Sequence, residues 1–135
     1  MGESVPARAS ILVVDDEPLL TRTIARTLAN EFEVSAFTSA REALACVTAG
    51  MSYAAIVCDL LMAEMTGMEL YEELVRVAPS QAGRMLFLTG GAFTPAARAF
   101  VDQAEQIVIR KPFDREALRD AVRRMVLSPQ ALPLR

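Results

Sequence analysis

The sequence predicts an α/β fold: a (βα)5 chain whose five parallel strands form one doubly wound sheet of order 2-1-3-4-5. Three observations predict it. Short apolar runs alternate with amphipathic helical patterns along most of the chain. The runs lack period-2 alternation, which fits strands buried on both faces of a parallel sheet. Each stretch between runs is long enough for a crossover helix, and right-handed crossovers leave few topologies, of which 2-1-3-4-5 is a common five-strand solution.

The elements follow in order. Ile11-Leu-Val-Val14 is the first strand, β-branched at three of four positions. Pro18 suits the first position of a helix over 18–29, with Leu20, Ile24 and Leu28 on one stripe. Phe32–Phe37 alternates and is the weakest strand. Ser39 with Glu42 three positions on is a capping-box signature for a helix over 40–49. Ala54–Cys58 is the third strand. Thr66 and Glu69 repeat the capping signature ahead of Leu70, Leu74 and Val77. Met85–Leu88 is the fourth strand, and Thr94-Pro95 opens a fourth helix to about Gln103. Ile107–Ile109 is the fifth strand. Asp114 caps a fifth helix with Leu118, Val122 and Met125 inward. The predicted division is an N-terminal extension over 1–10, one domain over 11–127 and a tail over 128–135.

Composition narrows the function. The chain has 135 residues, 53% hydrophobic and 23% charged, which is globular and fits one domain. A net charge of −3 argues against a nucleic-acid-binding surface. No His is present, which removes imidazole-based triads, His metal sites and any phosphohistidine on this chain. Cys46 and Cys58 are too few for a disulfide framework and read as buried, reduced thiols. No apolar run approaches ~18 residues and residues 1–10 lack a signal-peptide core, so no membrane insertion and a cytoplasmic location are expected. The only Lys, Lys111, stands among thirteen Arg.

In open α/β sheets, sites form beyond the carboxyl ends of the strands. Those ends carry Asp15-Asp16-Glu17 on strand 1, Asp59 on strand 3, Thr89 on strand 4 and Arg110-Lys111-Pro112 on strand 5. Three of six Asp residues thus converge on one edge. Clustered carboxylates repel, and a hard divalent cation such as Mg2+, bound through one or two carboxylates plus water, relieves the repulsion. Metal, hydroxyl and ammonium around a carboxylate make a phosphoryl-binding arrangement, and the carboxylate can itself be the nucleophile. Taken singly, each motif also reads as a helix N-terminus or a turn; four together on different strand ends do not.

The stretches Val13-Val14-Asp15-Asp16-Glu17-Pro18, Asp59-Leu60-Leu61-Met62 through Met65-Thr66-Gly67, Leu88-Thr89-Gly90 and Lys111-Pro112-Phe113 resemble the receiver domain of two-component response regulators. The resemblance runs from about Ile11 to Leu127 and implies a flavodoxin-like sheet. It implies that Asp59 is the phosphoacceptor and that Asp16 is a direct Mg2+ ligand, with Asp15 acting largely through water. It gives the backbone carbonyl of Leu61 as a third ligand. Thr89 matches the switch hydroxyl, Lys111 the lysine that pairs with the phosphoryl group, and Pro112 a proline preceded by a cis peptide bond. The implied partners are a histidine kinase or histidine phosphotransfer domain, and a downstream protein on the face of helix 4, strand 5 and helix 5; a weak homodimer is compatible with it. Kinase specificity is expected around Pro18, Leu19 and Arg22 and on the strand 5–helix 5 loop. Such a domain is not a classical enzyme and catalyses only its own phosphorylation and dephosphorylation.

Three positions depart from the family pattern. Val108 stands where the family usually has a switch aromatic, and its stiff χ1 predicts a muted or different conformational output. Ala63 replaces a usual Pro, which predicts a looser loop and weaker Mg2+ binding. Leu61 and Gly91 flank the phosphoryl site and can neither orient nor strongly repel an attacking water. No output domain fits this length, so the expectation is a receiver from a hybrid histidine kinase, or a stand-alone shuttle or regulator. Two other classes compete: a Mg2+-dependent phosphohydrolase, which would need an acid two residues after its nucleophile, where Leu61 stands, and a degenerate receiver used only for binding.

Overall fold

A computed structural model of the chain describes residues 8–90, 94–104 and 106–128. Its strands are β1 (Ser10–Val14), β2 (Glu33–Phe37), β3 (Ala55–Asp59), β4 (Met85–Thr89) and β5 (Val108–Arg110). Its helices are α1 (Pro18–Leu28), α2 (Ala40–Thr48), α3 (Gly67–Val77), α4 (Pro79–Ala82), α5 (Pro95–Gln103) and α6 (Arg115–Leu127). The sheet is parallel, with order β2-β1-β3-β4-β5, as expected. Gly91 and most of the predicted extension and tail lie outside the described residues.

Alternate residues of each strand serve opposite faces, which is why both faces are apolar. Leu12, Val14, Ile56, Cys58 and Phe87 face one side, under α2 and α3. Ile11, Val13, Ala55, Val57, Leu86 and Leu88 face the other, under Ile24 and Leu28 of α1 and Leu118, Val122 and Met125 of α6. Phe100 of α5 joins the first face, with its ring centroid 5.1 Å from that of Phe87 and 5.5 Å from that of Tyr71, both edge-on.

Several expectations shift. The sequence pattern contains five helices, and the structure adds α4, so the predicted fourth and fifth helices are α5 and α6. Four residues are too few to show a helical period. Pro79 opens α4 after Ala78 leaves helical geometry, and the buried Gln81 side chain accepts from Tyr53 N at 2.8 Å and donates to Tyr53 O at 3.1 Å. Val77 is 40% exposed rather than inward, because α3 ends there. Cys46 is half-buried and only Cys58 is fully buried. Ser39 accepts from Glu42 N, whereas Thr66 and Glu69 form the full reciprocal capping box. Asp114 occupies the α6 N-cap without a side-chain cap bond.

Candidate functional site

The carboxyl ends of β1, β3 and β4 lie side by side because β1 and β4 flank β3. Asp59 is the last residue of β3, with Cys58 in register with Val14 of β1 and Asp59 with Leu88 of β4. One carboxylate oxygen from each of Asp15, Asp16 and Asp59 lies within 4.8 Å of the others. Asp15 and Asp59 are buried and Asp16 is exposed.

Asp15 is held at every polar atom. Its N–H donates to Phe37 O at 3.2 Å, and its carbonyl accepts from Thr21 Oγ1 at 2.6 Å. Its carboxylate accepts from Glu17 N at 3.0 Å and from Lys111 Nζ at 3.2 Å. Asp16 Oδ2 accepts from the Ala63 amide at 2.9 Å. Lys111 Nζ lies 2.9 Å from Asp59 Oδ1, so one ammonium spans two buried carboxylates. Lys111 is aimed by its own N–H, which donates to Thr89 O at 2.7 Å, and the Lys111–Pro112 peptide is cis. Thr89 ends β4 and is buried. Leu61 lies two residues beyond Asp59 with its side chain 37% exposed.

Burial pushes the Asp59 carboxyl above the ordinary aspartate value. Lys111 pulls it down without cancelling that effect, and the charges of Asp15 and Asp16 add to the rise. Burial works against the Lys111 ammonium, but the Asp59 and Asp15 carboxylates outweigh it and raise its pKa. Burial raises the Cys58 thiol well above its usual range, with Asp59 and Asp15 adding to it, so this neighbour is an inert, neutral thiol. Three carboxylates against one ammonium leave an excess of two negative charges, on oxygen donors only. That donor set, the carboxylates of Asp15, Asp16 and Asp59, fits a hard divalent cation completed by water.

A family model described as the response regulator receiver domain matches residues 11–123. The chain belongs to that family. The receiver is 32% identical over 115 residues to the transcriptional regulatory protein GlrR of Escherichia coli K12, covering 84% of this chain and 25% of that one. It is 30% identical over 119 residues to the C4-dicarboxylate transport transcriptional regulatory protein DctD of Rhizobium meliloti, covering 87% and 25%. The chain therefore spans about a quarter of the length of these curated relatives. Among solved structures, the receiver resembles a response regulator receiver domain protein from Clostridium thermocellum, with TM-score 0.76, 27% identity and coverage of 87% of this chain and 94% of that one.

Three site features of this receiver were not singled out from sequence. Thr21 is a hydroxyl on the buried stripe of α1; it bonds to the Asp15 carbonyl and, at 2.9 Å, to the Glu17 carbonyl. Its place among Ile24 and Leu28 is the signal that could have found it. Gly67 sits at the first turn of α3 against the backbone of Asp59: a Cβ there would lie 2.3 Å from Asp59 O. A glycine just inside a helix, where propensity disfavours it, was its signal. Ala63 stood out only as a departure from the usual Pro, and the N–H that a Pro lacks was the signal for its contact with Asp16.

Proposed function

We propose that this receiver accepts a phosphoryl group from the phosphohistidine of a partner histidine kinase or phosphotransfer domain onto Asp59, in a Mg2+-dependent reaction. The observation that carries this reading is the Lys111 ammonium 2.9 Å from Asp59 Oδ1, beside two further carboxylates. A carboxylate oxygen of Asp59 attacks phosphorus, and the P–N bond breaks with its electron pair leaving on the imidazole nitrogen. When bound, the divalent cation supplies neutralisation of carboxylate and phosphoryl charge. Lys111 keeps its charge while the phosphoryl group is attached and pairs with a phosphoryl oxygen. Thr89, one strand over, donates its hydroxyl to another. The Leu61 side chain is apolar and carries no proton for a turnover reaction, which disfavours the phosphohydrolase reading.

Thr89 engagement is read out through the surface of α5, β5 and α6 as a population shift. Val108 pairs in register with Phe87 and packs on the cluster that holds Phe100. An aromatic contact from β5 is thus replaced by a stiff valine, which supports a muted output. The matched relatives are transcriptional regulatory proteins, so a parent regulator of that kind stands beside the hybrid histidine kinase as the setting this receiver serves.

Incubation with acetyl phosphate and Mg2+, followed by intact mass, tests the chemistry. One phosphoryl mass is expected on the native chain, none on Asp59→Asn, and none with a chelator. A product formed equally well by Asp59→Asn would sink the assignment. Phosphotransfer profiling against histidine kinases of the source organism then identifies the partner.

A further inference from the structure

We propose that the backbone amide of Ala63 is a positioning group that sets the Asp16 carboxylate for metal binding. This inference rests on the reading of Asp16 as a ligand. Asp16 lies in the turn after β1 and Ala63 in the loop after β3, 47 positions apart, and the two meet through a 2.9 Å bond from Ala63 N to Asp16 Oδ2. Both residues are exposed, so packing does not fix the Asp16 side chain. An exposed aspartate samples three χ1 wells. The amide selects one of them, and charge-assisted bonds of this kind are the stronger ones.

The bond occupies one carboxylate oxygen and leaves the other for a cation. It also ties the turn of Asp15 and Asp16 to the loop that carries Leu61, two residues before Ala63. A single N–H thus sets two expected ligand groups against each other.

The inference reverses the effect expected for proline here. By chain stiffness alone, Ala63→Pro reduces loop freedom and should tighten Mg2+ binding. Proline has no N–H, so the same change deletes the bond to Asp16. If the amide positions Asp16, the loss outweighs the stiffening.

Mg2+ titration of the 15N-labelled chain, followed by amide shifts, gives the affinities. Ala63→Pro is expected to bind Mg2+ about tenfold more weakly, the scale of one charge-assisted bond. Ala63→Gly keeps the N–H and is expected within about threefold of the native chain. Equal or tighter binding by Ala63→Pro overturns the proposal. Hydrogen exchange in chelator supplies a metal-free readout: the exposed Ala63 amide should be protected, and Asp16→Ala should abolish that protection. An Ala63 amide that exchanges freely in the native chain, or stays protected in Asp16→Ala, also overturns it. Failure of the native chain to bind Mg2+ would instead count against the proposed function, and the exchange result would stand by itself.

Discussion

Replacing Gly67 with Ala is the sharpest test of how Asp59 is held. The added Cβ would lie 2.3 Å from Asp59 O, 3.1 Å from Leu60 Cα and 3.2 Å from the Asp59 carbonyl carbon. Ordinary C···O contact is about 3.3 Å, so the overlap is about 1 Å. Every atom met is backbone, so no side chain can swing aside. Gly67 N also donates to Leu60 O at 2.9 Å, which pins the helix start to the end of β3. Either α3 or the end of β3 must move. Overpacking of this kind costs about 1–3 kcal/mol, or a fall of roughly 3–15 °C in thermal midpoint for a domain of this size. Displacing a reacting group by about 1 Å costs about a hundredfold in rate. The assays are a melt by circular dichroism and the rate of Asp59 phosphorylation by acetyl phosphate. Gly90→Ala is the stability control, because a Cβ there meets no atom of the described residues within 4 Å. If Gly67→Ala matched Gly90→Ala in melting and kept the native rate, the tight packing behind Asp59 would be refuted.

Other outcomes follow from the charges and bonds of the site. Folding raises the Asp59 pKa above its ordinary 3.8, so the ionised form is the one that folding disfavours. That cost is absent below the ordinary value and appears as pH rises through the folded one. Asp59→Asn should therefore raise the melting temperature in chelator at pH 7, by a margin that shrinks as pH falls towards 4 and as Mg2+ is added; a pH-independent margin would count against this account. Lys111→Arg should slow phosphorylation and signalling more than any other Lys/Arg exchange, because a planar guanidinium cannot sit as a point charge between Asp15 and Asp59. Parallel kinetics of Lys111→Arg and Arg115→Lys decide it. Thr21→Val leaves the buried Asp15 carbonyl without its hydroxyl donor and should cost about 1–3 kcal/mol in urea unfolding. Thr21→Ser should recover most of that loss, and an equal loss in both variants would speak against the bond.

The sheet order and all five strands were legible because buried parallel strands leave continuous apolar runs, and their boundaries moved by only a residue or so. Asp15, Asp16, Asp59 and Lys111 were legible for a related reason: a strand's end is where its apolar run stops. What escaped depended on contacts between distant segments. Gln81 reaches Tyr53 and so fixes α4 in a place no local period marks. Ala63 stood out for its missing Pro, but nothing local marks that its N–H reaches Asp16, 47 positions away. Val77 looked like the next rung of the α3 stripe, but a stripe does not reveal where its helix turns away from the core.

The outer helices are attached to the sheet with unequal firmness. Arg123 grips both carboxylate oxygens of Glu31, at 2.8 and 2.9 Å, just beyond α1. Arg119 Nε donates to Thr27 O at 3.3 Å, and Arg84 Nη1 donates to Met125 O at 2.8 Å. By contrast, Ala97 is the sole fully buried side chain of α5 among the described residues, and Phe100 adds edge-on packing against Tyr71 and Phe87. For anyone splicing this domain into a synthetic circuit, the choice of attachment point follows. A reporter grafted along α6 would ride on a clamped frame and serve as the reference channel. One grafted along α5 would sit on the helix with the fewest buried side chains among the described residues, and is the channel to compare against that reference.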